Sequence, residues 1–420
     1  MSDDYPFDAC YPNRKTIEES YRDYWYDLPI DREVPGGQAA SDAFERSINS
    51  KPLPVSKDGL QVLRNAPPEY GLLSRPKKYD SQLSNRLKRS YYHYQNSGEG
   101  VVVYLVDSGC DPSHPEFEST RFQDWIVSKS LLSAENGTDA CNIFCHGTEI
   151  ASKIAGRHLG IAPRAQLVVV PTNDSEGLIW FYTVLAALME IYNHIKSRNL
   201  GRPCIVTMAL RLPVTYQDEK TRPTLYHAFL DLSAKIIGLG NVIMVASAGN
   251  GRSDERIRNF PAILAADNRF RNLVVAGGAD SYYFQNMYQF DNGFVNFVWA
   301  LGGNLTVATT PDPRLHPTEV TLDDYYRDYY RTGTSGATAI VSGMLASYIS
   351  RNMKSKTRIV DAIKQLKKFS YPNAPGGVPM IHDGITLDKW LKEDRTEVQG
   401  TLKDNCKKVW NKITGKSSCK

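Results

Sequence analysis

Apolar runs rich in β-branched residues recur along this 420-residue chain, and stretches with helical spacing separate them. Val101–Val106, Leu167–Val170, Cys204–Met208, Val242–Ala246 and Leu273–Ala276 read as buried strands. Ile150–Ile154, Phe181–Ile195, Leu225–Ile237 and Thr338–Ile349 read as helices. Strands that are apolar throughout, and not every second residue, are covered on both faces. The alternation therefore predicts an α/β fold: a doubly wound parallel sheet with helices on both faces, in three layers. In such sheets, sites collect beyond the carboxyl ends of the strands.

Small polar motifs stand at those positions. Gly333-Thr334-Ser335-Gly336-Ala337-Thr338 feeds a buried helix, so its hydroxyl meets the N–H groups of a helix start, where negative charge is stabilised. The strand Val101–Val106 runs into Asp107-Ser108-Gly109, and His146-Gly147-Thr148 opens a helical pattern. Val242–Ala246 closes on Ser247-Ala248-Gly249-Asn250-Gly251. Each motif has a plain structural alternative: Asp-Ser-Gly caps turns, His146 is a helix-start residue, and Gly-Asn-Gly makes a bend.

The order Asp, His, Asn, Ser resembles that of the subtilisin-like serine proteases (peptidase S8), and roughly residues 70–381 resemble their proteinase K branch. The resemblance implies a catalytic triad of Asp107, His146 and Ser335, with Asn250 in the oxyanion hole. The chemistry agrees. A serine hydroxyl needs a base, a neutral histidine supplies it, and a carboxylate fixes the histidine's tautomer and stabilises its cation.

Departures from the family pattern bear on specificity. Glu149 replaces the second histidine of His-Gly-Thr-His; it either faces His146 or points to solvent. Gly336 and Ala339 replace Met and Pro after the serine. Ala209-Leu210-Arg211-Leu212 replaces Ser-Leu-Gly-Gly beside the S1 pocket. On the opposite edge, Leu178-Ile179-Trp180 follow Gly177. The resemblance thus assigns substrate binding to Gly177, Leu178, Ile179, Leu210 and Arg211, in a cleft narrowed at both edges. Phe297 takes the place of a calcium-ligating Asp, so no metal site is assigned. The chemistry needs no cofactor, and calcium is an option without an assignable site.

The composition is that of an ordinary globular protein, 41% apolar and 23% charged. A net charge of +4 is too small to argue for nucleic acid. No apolar run reaches the ~20 residues of a membrane helix. The expected partner is a peptide or protein substrate, and nothing sets an oligomeric state. Met1-Ser2-Asp3-Asp4-Tyr5-Pro6 lacks a basic region followed by an apolar core, which gives cytoplasmic location by default, or secretion if the N-terminus is truncated. The cysteines, seven and scattered, are no disulfide framework. Cys141 and Cys145-His146 have no second pair with zinc spacing. Residues 1–64 form a polar N-terminal segment where the family carries a pro-segment. Residues 65–381 make the catalytic domain, and 382–420 a Lys-rich C-terminal tail. The leading function is a serine endopeptidase of restricted specificity. The alternatives are a catalytically weakened peptide-binding protein and a peptide ligase or cyclase on the same scaffold.

Overall fold

The computed structural model describes residues 59–63, 66–77, 90–126, 146–173, 179–213, 222–253, 255–280, 288, 293–303, 305–309, 326–331, 333–372 and 377–386. The chain divides into two units, Met1–Ser41 and Asp42–Lys420, and every described residue lies in the second.

In chain order the elements are β1 (Leu60–Leu63), α1 (Pro68–Leu73), β2 (Tyr91–Tyr94), β3 (Val102–Asp107), β4 (Arg121–Trp125), α2 (His146–Ala155) and β5 (Gln166–Pro171). Next come α3 (Phe181–His194), β6 (Cys204–Met208), β7 (Leu212–Pro213), α4 (Arg222–Ile237), β8 (Val242–Ser247), β9 (Asn259–Phe260) and β10 (Leu273–Ala279). The last are β11 (Phe297–Leu301), β12 (Leu305–Ala308), β13 (Tyr326–Arg331), α5 (Thr334–Arg351), α6 (Arg358–Lys368), β14 (Ser370–Pro372) and β15 (Pro379–Ile381).

The main sheet has the order β14-β15-β11-β10-β8-β6-β3-β5-β4. Every pair in it is parallel except β14 with β15. From β3 the chain builds one side through β4 and β5, then crosses back to β6 and builds the other through β8, β10 and β11. The reversal falls between β3 and β6, which is where a doubly wound sheet opens a crevice. Val106 lies opposite Met208, so Asp107 and Ala209 leave the sheet side by side.

The three-layer expectation holds, and β3 shows why. Val103 and Leu105 face a core with Ile150 and Ile154 of α2 and with Val341 and Leu345 of α5. Val102, Tyr104 and Val106 face the opposite core with Val184, Leu188 and Ile191 of α3 and Phe229 of α4. Each such side chain contributes roughly 1.5–3 kcal/mol on burial. The helical reading of Phe181–Ile195 overruns by one residue: α3 ends at His194 and the chain makes a wider π turn, Ile195–Asn199. That turn carries Asn199 under the buried Tyr104, whose hydroxyl receives a hydrogen bond from Asn199 Nδ2 at 2.8 Å and meets His194 Nδ1 at 2.9 Å.

The two ends of this fold are stitched together. Leu60–Leu63 pairs antiparallel with Tyr91–Tyr94. Asp383 N donates to Leu73 O at 2.9 Å, Tyr371 OH donates to Arg75 O at 2.6 Å, and Ser74 Oγ donates to Asp383 Oδ2. Asp383 Oδ1 accepts from Ile385 N at 2.8 Å, and Arg351 donates to the Asp383 carbonyl at 3.3 Å. Beside it the His382 ring stacks flat on Tyr371, centroids 3.7 Å apart. His382 and Asp383 are both buried, although they open the segment 382–420.

Burial pushes the Asp383 carboxyl up to about 7, against the opposing hydrogen bonds of Ser74 and Ile385, and pushes His382 down to about 3. Between 3.8 and about 7 the folded chain keeps a proton on Asp383 that the unfolded chain has lost. That contribution to stability disappears as pH rises through the folded value. His382 acts in the opposite sense: the unfolded chain takes up a proton below 6.5 and the folded chain does not until about 3, so stability is lost as pH falls. Thermal melts of wild type and Asp383→Asn from about pH 4 to about pH 8 check the contribution of Asp383. The variant should gain on wild type steadily as pH rises through that range, and a pH-independent difference would refute the assignment.

Candidate active site

The motif at the end of β3 and the motif that starts α2 clasp one another, each giving a backbone N–H to a hydroxyl of the other. Gly147 N donates to Ser108 Oγ at 2.9 Å, and Asp111 N donates to Thr148 Oγ1 at 2.9 Å. A Cβ on Gly147 would lie 1.9 Å from Gly109 O, so only glycine permits this approach. Gly109 itself has φ of 118°, in the region that favours glycine. The clasp brings His146, the first residue of α2, onto Asp107.

Asp107 is anchored at both ends. Its carbonyl accepts from Thr172 N at 2.9 Å and Thr172 Oγ1 at 3.2 Å, beyond the end of β5. Its Oδ1 accepts from Ser108 N at 2.8 Å and lies 2.7 Å from His146 Nδ1. The Asp107 side chain is 2% exposed and that of His146 is 23% exposed. A buried carboxylate only accepts, so Nδ1 carries the ring proton and Nε2 is left as the basic nitrogen.

The Ser335 motif is held on the other side of the crevice. Thr334 N and Thr334 Oγ1 both donate to Asn250 Oδ1, at 2.9 and 3.0 Å, and Gly249 N donates to Thr334 Oγ1 at 3.1 Å. The oxygen of Asn250 is thereby committed, which leaves its Nδ2 to donate. That nitrogen lies 3.3 Å from where a Cβ on Gly333 would stand. Ser335 is the second residue of α5 and half-buried, and its Oγ donates to Ala209 O at 3.0 Å. Its partner is thus a carbonyl at the end of β6, not His146.

The other residues nominated by the sequence divide. Leu210 is buried, and its carbonyl accepts from Ser247 Oγ at 2.8 Å. Arg211 is exposed between Leu210 and Leu212, and Leu212 pairs with Phe260. Ile179 is half-buried and bridged to Asn173; Gly177 and Leu178 lie outside the described residues. Glu149 is buried, which removes the reading in which it points to solvent. Cys110 is buried and in no disulfide, while Cys141 and Cys145 lie outside the described residues. Phe297 lays its ring against Gly277, where a Cβ would lie 2.5 Å from it. Among the described residues no three His, Cys, Asp or Glu side chains converge as a metal site. Sequence reasoning passed over Thr334, Ser108 and Thr148, which hold the conspicuous residues in place. Their signal is a hydroxyl one residue from Asp107 and Ser335 and two residues from His146.

A family profile described as the subtilase family matches residues 98–373. A subtilisin-like protease of Coccidioides posadasii is 29% identical over 306 residues, covering 72% of this chain and 65% of the relative. A cuticle-degrading protease of Metarhizium anisopliae is 26% identical over 301 residues, covering 71% and 66%. Proteinase R of Parengyodontium album is 27% identical over 168 residues, 40% of this chain and 38% of that protein. The chain thus spans about two thirds or less of the length of these relatives. The crystal structure of a cold adapted subtilisin-like serine proteinase matches with a TM-score of 0.53 and 19% identity, over 76% of this chain and 99% of that one. That likeness concerns the fold. The cytoplasmic default drawn from the N-terminus is corrected: the relatives are fungal subtilisin-like proteases, one of them named for degrading cuticle, and that default conflicts with them. The motifs in order, the sheet that presents them and the match over most of the chain agree, and the chain belongs to the subtilase family.

Proposed function

We propose that this chain is a serine endopeptidase that cleaves peptide or protein substrates through an acyl-enzyme. The 2.7 Å contact between Asp107 Oδ1 and His146 Nδ1 carries the reading, because it fixes the tautomer in which Nε2 is basic. In this reading Ser335 Oγ turns from Ala209 O toward His146, gives its proton to Nε2 and attacks the scissile carbonyl carbon. The oxyanion that forms is stabilised by Asn250 Nδ2 and by the Ser335 N–H at the start of α5. Protonated His146 then delivers its proton to the departing amine, and water resolves the acyl-enzyme by the same steps. No cofactor or metal enters this chemistry.

One observation favours a catalytically weakened, peptide-binding site: the Ser335 hydroxyl is engaged by Ala209 O. A fluorophosphonate probe separates the two readings, since it forms a bond only with an activated hydroxyl. Wild type should label at Ser335, and Ser335→Ala should lose labelling and hydrolysis while keeping its melting temperature. Label that persists in the alanine variant on another residue refutes the assignment.

Asn250→Ala tests the oxyanion hole. Because the contact forms in the transition state, kcat and kcat/KM should fall together by about 100-fold or more, a scale set by a member of this same family. An unchanged kcat would reduce Asn250 to a bend residue that holds Thr334.

Arg211 bears on specificity. An exposed guanidinium beside the S1 position favours an acidic group near the scissile bond and disfavours Lys or Arg. Profiling a peptide library should show an acidic preference in wild type that Arg211→Gly loses. Identical profiles for the two proteins would discard the idea.

A further inference from the structure

Helix α1 carries a carboxylate into the core between the elements that bear His146 and Ser335. Glu69 and Lys153 are 2% and 0% exposed. Lys153 Nζ donates to Glu69 Oε1 at 2.6 Å and to Tyr70 OH at 3.2 Å, and sits 4.5 Å from the Tyr70 ring centroid. The same Oε1 accepts from Thr306 N of β12 at 2.9 Å. One oxygen atom therefore ties α1, α2 and β12 together.

Both proposed catalytic elements meet this node. Lys153 lies two turns along α2 from His146, on the same face of the helix. A second bond, from Ala308 N to Ser152 Oγ at 3.2 Å, fastens β12 to α2. On its other side β12 presses Leu305 against Gly336, where a Cβ would lie 2.3 Å from Leu305 Cδ1. Gly336 is the residue after Ser335. The path from His146 through Lys153, Glu69, Thr306 and Leu305 to Ser335 is contiguous.

Holding these elements together does not require charge. A buried ion pair returns little net stability over an apolar pair of similar volume, although removing one partner is costly. This pair is not even fully satisfied: Glu69 Oε2 is buried without a hydrogen-bond partner. What a charged, directional contact supplies and an apolar one lacks is a fixed axial setting.

We propose that Glu69 is a positioning residue whose contact with Lys153 and Thr306 sets α2 along β12, and so sets His146 relative to Ser335. This rests on the serine-protease reading above.

The test compares wild type, Glu69→Gln and Glu69→Leu/Lys153→Met. Each is assayed by melting temperature, by the rate and saturation of fluorophosphonate labelling, and by the low-field proton resonance of the His146–Asp107 hydrogen bond. Glu69→Gln keeps both contacts through its amide oxygen and should label at close to the wild-type rate. The apolar pair should stay folded but label about 10–100-fold more slowly at unchanged probe saturation, with the low-field resonance moved or lost. Wild-type labelling and an unmoved resonance in the apolar pair overturn the proposal, as do rates that merely track melting temperature. If the apolar pair does not fold, Glu69→Asp, which withdraws the carboxylate by one methylene, is judged by the same criteria. Absence of labelling in wild type would count against the protease reading instead. The resonance would still report whether the ion pair sets the histidine.

Discussion

The head of the sheet depends on a backbone approach that leaves no room for a side chain. Gly147 sits so close to Gly109 O that the start of α2 and the turn after β3 behave as one piece. Everything placed by these two segments inherits that rigidity: the His146 ring, the Asp107 carboxylate beneath it, and the Ser108 and Thr148 hydroxyls that close the clasp. On the far wall, Gly302 similarly approaches the backbone of Gly278 and of Gly333, the residue that leads into α5. The crevice between β3 and β6 is therefore framed by main chain. Main chain carries no rotamer entropy, and this suits a site whose parts must stay within fractions of an ångström.

Buried ionisable side chains act as fasteners between distant parts of the chain. Glu116 is fully buried, and its carboxylate accepts from His158 N at 2.7 Å and Leu159 N at 2.6 Å, tying down the loop that follows α2. Glu69 does the same for α1, and Asp383 for the end of the fold. Each desolvated group costs several kcal/mol before its bonds are counted. A fold that accepts this repeatedly gains directionality in return: each carboxylate specifies which neighbour it meets and in what orientation.

The sheet interior was legible because continuous apolar runs have no other use: β3, β6 and β8 fall where their β-branched residues place them. The edges were not. Arg121-Phe122-Gln123-Asp124-Trp125 forms β4 at the sheet margin, half-buried and polar, with no pattern that outweighs a loop. In α6 the buried Ile359, Ala362, Ile363 and Leu366 do follow helical spacing, with Val360, Asp361, Lys364 and Gln365 between them. At the site, residue types and their order suffice to nominate Asp107, His146, Asn250 and Ser335. What order does not carry is the direction of a side chain. The commitment of Asn250 Oδ1 to Thr334, the Ser335 hydroxyl turned to Ala209, and the burial of Glu149 are all decided by tertiary neighbours. The partner of Lys153, Glu69, lies far from it in sequence and meets it only in the fold.

The stitching of residues 73–75 to residues 371–383 has a consequence in time. Synthesis is vectorial, and these partners are made at opposite ends of the domain. Until Tyr371 and Asp383 have left the ribosome, the segment after α1 lacks its contacts to the end of the fold, and Glu69, which supports the helix that bears His146, sits on an element held at one side only. The histidine wall and the serine wall thus reach their final setting only after nearly the whole domain has been translated. A domain built this way is late to mature on its own ribosome.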